Sequence, residues 1–156
     1  MFLINYNWFN IEIMTILYIP DTNIMSVLIQ KNPIVIENFA QAFARGHEVQ
    51  LCPMVYYEVY RGLLHKDRKN LLPYFLKLMD SMAISSLAQE DWTYAAVLWA
   101  ETRGAGKTVD EMDLLIAAYA KRRHATVVTN NEKHFTPLGV PVENWLHKKE
   151  WLQKND

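Results

Sequence analysis

With one cysteine in 156 residues, Cys52, the chain can form no internal disulfide, and nothing in it suggests an oxidising compartment. A domain of this length buries roughly two-thirds of the surface its unfolded chain exposes, so a core alone suffices and no structural metal is required. An excess of one charge is missing too. Sixteen Lys and Arg stand against seventeen Asp and Glu, a net charge of −1. Bulk electrostatics therefore do not draw in a polyanion, and any phosphate contact must come from local clusters. There is no repeat, no low-complexity tract and no Pro/Gly/Ser linker, which gives no place for a domain boundary. No apolar run is long enough to cross a bilayer. The first thirteen residues, MFLINYNWFNIEI, carry no basic residue and are interrupted by Asn5, Asn7, Asn10 and Glu12. They make neither a signal peptide nor a span. The expectation is a cytoplasmic protein with no membrane partner. Residues 1–13 form an extension, either dispensable or an extra edge strand or interface element, ahead of one domain over 14–156.

What is present alternates. Residues 16–20 (ILYIP) form a short apolar, β-rich run that ends at a polar Asp21-Thr22-Asn23 corner. Asn32-Pro33 supplies an N-cap and a first helical residue, for a helix that Gly46 stops. Residues 48–52 (EVQLC) read as a second strand, and Pro53 opens a helix carrying MVYYEVYRGLL. A helix over 69–80 and a short strand over 82–85 follow. Ser86 with Gln89, and Thr108 with Glu111, have capping-box spacing ahead of two further helices, the second of them strongly apolar (LLIAAYA). Residues 125–129 (ATVVT) form another buried strand. Strands separated by helices predict an α/β domain with a mostly parallel, helix-covered sheet, whose sites gather at the carboxyl ends of strands.

Four positions stand where such a site would form. Asp21 ends the first strand, a place that also suits a plain N-cap. Glu58 lies in a helix among Tyr56, Tyr57 and Tyr60, where a solvated face is the alternative. Asp113 heads LLIAAYA, and a carboxylate entering a core must be paired, neutralised or bound to a cation. Asp110, three residues earlier, shares roughly its face but also fits the first-turn preference for acids. Asn131, in the turn after ATVVT, offers a neutral oxygen. Carboxylates gathered within about 4–6 Å cannot all stay ionised without a cation among them. An all-oxygen set suits Mg²⁺ or Mn²⁺, and no His/Cys spacing points to zinc. Such ions serve phosphodiester hydrolysis. Two basic stretches are candidates for phosphate contact or simply solvated faces: Arg61, His65, Lys66, Arg68 and Lys69, and Lys121 to His124. RGAGKT looks like the end of a phosphate-binding P-loop, but the pattern needs glycine where Glu101 stands and no strand precedes it. It reads as a helix end and turn.

Taken together, these motifs resemble a known family. ILYIPDTNI is similar to the opening strand and acidic corner of PIN domains, VYYEVYRGL to their second acidic motif and DLLIAAYA to their third. VVTNNEKHF followed by PVENW resembles the C-terminal signature of VapC-type toxins. The four motifs keep the family's order and approximate spacing across residues 16–145. The resemblance implies a three-layer α/β/α domain with a parallel sheet of about five strands. It implies an endoribonuclease that uses Mg²⁺ or Mn²⁺ and leaves a 5′-phosphate. Asp21, Glu58 and Asp113 match the metal-binding acids, and Asn131 falls where many relatives carry a fourth acid and others an asparagine. Thr22, Asn23, Asp110 and Thr129 take supporting roles beside them, and Arg61, Lys66 and Arg68 are the candidates for holding RNA. The implied partners are an RNA substrate and a cognate antitoxin covering the acidic site; apolar residues near 24–28 and 56–64 would suit a homodimer or an antitoxin groove. Two alternatives remain: a non-catalytic PIN-like binding module, and a housekeeping RNA-processing nuclease.

Overall fold

A computed structural model of the chain describes residues 14–65 and 68–151. The N-terminal extension and Lys66 lie outside the described residues. Five strands, β1 (Leu17–Pro20), β2 (Glu48–Leu51), β3 (Ala83–Ile84), β4 (Thr126–Val128) and β5 (Val142–Glu143), form one sheet in the order β3-β2-β1-β4-β5. Every pairing is parallel. Between them run α1 (Thr22–Ile29), α2 (Pro33–Ala44), α3 (Pro53–His65), α4 (Leu72–Met79), α5 (Gln89–Gly104), α6 (Glu111–Arg122) and α7 (Glu132–Phe135). This is the expected α/β domain. The order runs outward from β1 to β3 and then jumps back across β1 to β4. Right-handed crossovers therefore place the connecting helices on opposite faces before and after the jump. Accordingly α2 packs on β2, and α6 packs on β4 with α5 against it. The reversal between β1 and β4 leaves a crevice at their carboxyl ends, the place where such sheets bind ligands.

Buried strand residues fill the middle layer: Tyr18 and Ile19 of β1, Val49 and Leu51 of β2, Val127 and Val128 of β4. Pro20 sits at the end of a central strand without breaking the ladder. The Asp21 N–H donates to Val128 O at 2.9 Å on the β4 side. On the other side, pairing with β2 reaches only Tyr18–Val49, so no bond is missing where proline lacks its donor.

Asn32 caps α2 as expected, its Oδ1 accepting from the N–H groups of Ile34 (3.0 Å) and Val35 (3.1 Å). Gly46 takes the left-handed turn beyond the helix at φ 77°. Several expectations are corrected. The helix over 69–80 splits into a 3₁₀ turn, Lys69–Leu71, and α4, which Pro73 favours by having no N–H to donate in the first turn. Ser86 caps nothing: α5 starts at Gln89, and the Asp91 carboxylate accepts the Ala88 N–H at 2.8 Å. Thr108 is displaced by Asp110, whose carboxylate takes the Met112 N–H at 2.9 Å; in both cases a carboxylate nearer the first turn supplies the stronger acceptor. The residues near 24–28 are not a surface, since Ile24, Met25 and Leu28 of α1 belong to the core. Tyr57 and Leu64 on α3 are exposed.

Candidate active site

The short β1 run delivers Asp21 to the sheet's carboxyl edge, where it caps α1. One carboxylate oxygen accepts the Ile24 N–H at 2.8 Å, and the other accepts the Thr129 hydroxyl at 2.6 Å. Thr129 directly follows β4 and also accepts the Asn131 N–H at 2.9 Å. Asp21 is thereby locked between the two strands flanking the crevice, with only 3% of its surface exposed. Burial pushes its carboxyl up from 3.8 to about 6 against the pull of these hydrogen bonds, and the charge of Asp113 adds to the rise.

Glu58 projects from α3. Its Oε2 accepts the Thr22 hydroxyl at 2.5 Å, and its Oε1 lies 3.4 Å from the Arg61 guanidinium. Asp113, on the first turn of α6, is half-buried. Burial raises its carboxyl above the ordinary range, and the charges of Asp110 and Glu58 act in the same direction against a bond to His134. That bond joins Asp113 Oδ2 to His134 Nδ1 at 2.7 Å. The Asn131 amide lies 2.9 Å from the same ring nitrogen. One nitrogen cannot donate to a carboxylate and accept from an amide at once. With its proton given to Asp113, the amide must present oxygen to it.

These groups line a single cleft of about 320 Å³, together with Thr22, Asn23, Asp110 and Met112. The structure thus gathers Asp21, Glu58, Asp113, Asn131, Thr22, Asn23 and Asp110 around one opening, with Thr129 buried beneath it. Arg61 stands at its edge, stacked on the Tyr57 ring at 4.9 Å. Arg68 is not brought in; it precedes the 3₁₀ turn and donates its N–H to Leu63 O. The second basic stretch is spent internally. Arg122 and Arg123 bind the Asp91 carboxylate at 2.7 and 2.9 Å, and Lys121 donates to Leu138 O at 3.0 Å.

Two residues escaped sequence reasoning. His134 was visible in VVTNNEKHF only as part of a polar turn, and its spacing to Asp113 across 21 residues is legible only in three dimensions. Asp91, buried and bound by two arginines, stands in no motif of the sequence. Its carboxyl is held below the ordinary range, because the bonds from Arg123, the Ala88 N–H and Arg122 outweigh the cost of burial.

Asp21 and Asp113, both raised chiefly by burial, and Glu58 beside them give one cleft an all-oxygen donor set that suits a hard divalent cation. Among the described residues, no group of three or more His, Cys, Asp or Glu side chains is poised to hold an ion as it stands. Glu58 faces Thr22 and Arg61, and Asp113 faces His134 through Oδ2, so a bound cation would compete with these partners.

Comparison with known proteins bears on the family and the fold. The sequence pattern of the PIN domain matches residues 18–137. The chain is 29% identical over 134 residues to Ribonuclease VapC2 of Rickettsia felis, covering 83% of this chain and 98% of that protein. The crystal structure of VapBC2 from Rickettsia felis, bound to a DNA fragment from its promoter, superposes with a TM-score of 0.75 at 27% identity. The match covers 83% of this chain and 99% of that one. VapBC-1 of nontypeable Haemophilus influenzae shares the fold, with a TM-score of 0.74 at 18% identity over 85% of this chain and all of that one.

Proposed function

The chain belongs to the PIN-domain family, and we propose that it is a metal-dependent endoribonuclease, the toxin of a VapBC-like toxin–antitoxin pair. One observation carries this: Asp21, Glu58 and Asp113, from three different elements, line one cleft at the carboxyl end of β1 and β4. The charge of Asp113 adds to the rise of Asp21, and those of Asp110 and Glu58 to the rise of Asp113, an arrangement that a neutral binding surface does not need. Asp21, Glu58 and Asp113 would hold the cofactor, Mg²⁺ or Mn²⁺, with Asn131 as a weaker oxygen donor. Bound there, a divalent cation supplies positive charge against the phosphoryl oxygens and makes water a better nucleophile.

The chain's own residues do the positioning. Thr129 and the Ile24 N–H fix both oxygens of Asp21, so this carboxylate cannot swing when substrate arrives. Thr22 orients Glu58, and His134 partners Asp113 when no cation does. Asn23 and Asp110 keep the rim polar, and Arg61 offers a charge to RNA at the edge. Hydrolysis adds water across the P–O3′ bond, giving a 5′-phosphate and a 3′-hydroxyl.

The antitoxin reading rests on the family and on the VapBC relatives, which are complexes of two proteins. Its cognate partner would cover this acidic cleft and set a basic side chain among the carboxylates. Exposed Tyr57 and Leu64 on α3 suit that partner or a second copy of the chain. Among the described residues, no helix is long and apolar enough to cross a membrane, and we place the protein in the cytoplasm.

Cleavage of a mixed RNA pool with and without Mg²⁺ or Mn²⁺, run beside Asp21→Asn, tests the proposal. Metal-dependent cleavage, absent from the variant, is expected. Full activity in the variant would sink it. The non-catalytic alternative draws on Asn131 and on the acids' present partners. Mn²⁺ titration of the free chain separates the two, because a binding module with a degraded acid set takes up no ion.

A further inference from the structure

A second cleft of about 290 Å³ opens beside the acidic one and shares Asp110 and His134 with it. Its other walls come from the turn after α5, with Lys107 and Thr108, and from α7, with Lys133. The turn is the P-loop-like RGAGKT segment. It is closed by the Gly106 N–H on Arg103 O at 3.0 Å and the Lys107 N–H on Thr102 O at 2.8 Å. Gly106 takes φ 71°, the left-handed residue such a helix end requires. The backbone that carries Lys107 is therefore held, although the segment is no P-loop.

Both lysines are exposed, and neither ammonium group has a partner among the described residues. This contrasts with the other basic groups near the fold's centre: Arg122 and Arg123 are bound to Asp91, Lys121 to Leu138 O, Lys149 to Glu143. In a chain of net charge −1, two unspent lysines lining a cleft contiguous with a carboxylate site are placed where a polyanion needs help. A strand whose reacting phosphate approaches Asp21 and Asp113 meets four acids. Its neighbouring phosphate, one nucleotide along, then enters a cleft of the opposite sign.

We infer that the cleft between Lys107, Thr108 and Lys133 is a subsite for the backbone phosphate next to the scissile bond, positioning single-stranded RNA across the carboxylates. The inference rests on the proposed nuclease function and adds to it the residues that set the strand's register. Lys107 and Lys133 are positioning residues: they touch the RNA backbone and not the reacting atoms.

Equilibrium binding of a short fluorescent single-stranded RNA to the full chain carrying Asp21→Asn, followed across a series of KCl concentrations, tests it. Each lysine on a phosphate contributes about 0.7 to the slope of log affinity against log salt for single strands. Adding Lys107→Gln and Lys133→Gln together should flatten that slope by about 1.4. Affinity lost between about 50 and about 200 mM salt then becomes about sevenfold smaller. Lys77→Gln, on the exposed side of α4, removes a positive charge away from the cleft and should leave the slope unchanged. In the Asp21-intact chain, the same pair of substitutions should raise KM with little change in kcat. If the Asp21→Asn chain binds RNA and the pair leaves its slope unaltered, the subsite is refuted and the nuclease stands. If the pair weakens an acidic peptide but not RNA, the subsite is likewise refuted. A chain that neither binds nor cleaves RNA overturns both.

Discussion

Asp21→Asn should make the metal-free protein more stable at neutral pH while removing its activity. The Asp21 carboxyl is raised from 3.8 to about 6 by burial and by the charge of Asp113. At about 1.4 kcal/mol for each tenfold change in proton affinity, keeping Asp21 ionised in the fold costs about 3 kcal/mol. The sign follows from proton counting. Below 3.8 both states hold the proton, and the cost is absent. Between 3.8 and about 6 the folded state holds it more tightly, so this group's contribution to stability falls as pH rises. Above that window the full cost stands. Asparagine keeps an oxygen for the Ile24 N–H and a group within reach of Thr129, and it carries no charge. The variant and the parent should therefore be about equally stable near about pH 4, with the variant ahead by about 2–3 kcal/mol at about pH 7.5. In a domain of this size that is a rise in Tm of about 6 °C. Urea denaturation in EDTA, followed by the fluorescence of tryptophans such as the fully buried Trp145, measures it. Mn²⁺ should stabilise the parent and leave the variant unmoved, since only the parent keeps the carboxylate proposed to hold the ion. A variant no more stable than its parent at neutral pH, or a gap independent of pH, would refute the account of Asp21 as a carboxylate strained by its surroundings.

Thr129→Val removes the hydroxyl that fixes Asp21 and should weaken Mn²⁺ binding by about 10- to 100-fold, as calorimetric titration would show; unchanged affinity would mean that Asp21 needs no support. RNA cleavage should decline as pH drops through about 6, where Asp21 takes up its proton, and added Mn²⁺ should move that inflection to lower pH by competing with the proton. Initial rates at several metal concentrations read this out. Asp91→Ala should destabilise the fold by about 2 kcal/mol, below the about 3–5 typical of a wholly buried pair, because Arg122 and Arg123 stay 33% and 22% exposed. Since the Asp91 carboxyl is held below its ordinary value, its stabilisation is present at neutral pH and fades as pH falls through that lowered value. Urea denaturation at the two extremes checks both.

The acids of this site were legible in the sequence because their positions are fixed by local chemistry. Asp21 follows an apolar strand run, and Asp113 heads an apolar helix. In both places a carboxylate needs a reason, and in an α/β domain both places face the same sheet edge. Glu58 was legible only through the family motif around it, since one acid on a tyrosine-rich helix carries no signal alone. What remained hidden depends on pairings between distant segments. Arg122 and Arg123 looked like free charge until α5 brought Asp91 beneath them. Lys107 looked like a decoy until Lys133 stood across from it. His134 was another polar residue in a turn until it met Asp113. A run of basic residues has no direction in sequence, whereas the fold turns one run inward to an aspartate and leaves two isolated lysines facing the cleft. If the proposed subsite holds RNA, the salt dependence of binding rests in part on Lys107 and Lys133, which is why substituting these two should change it.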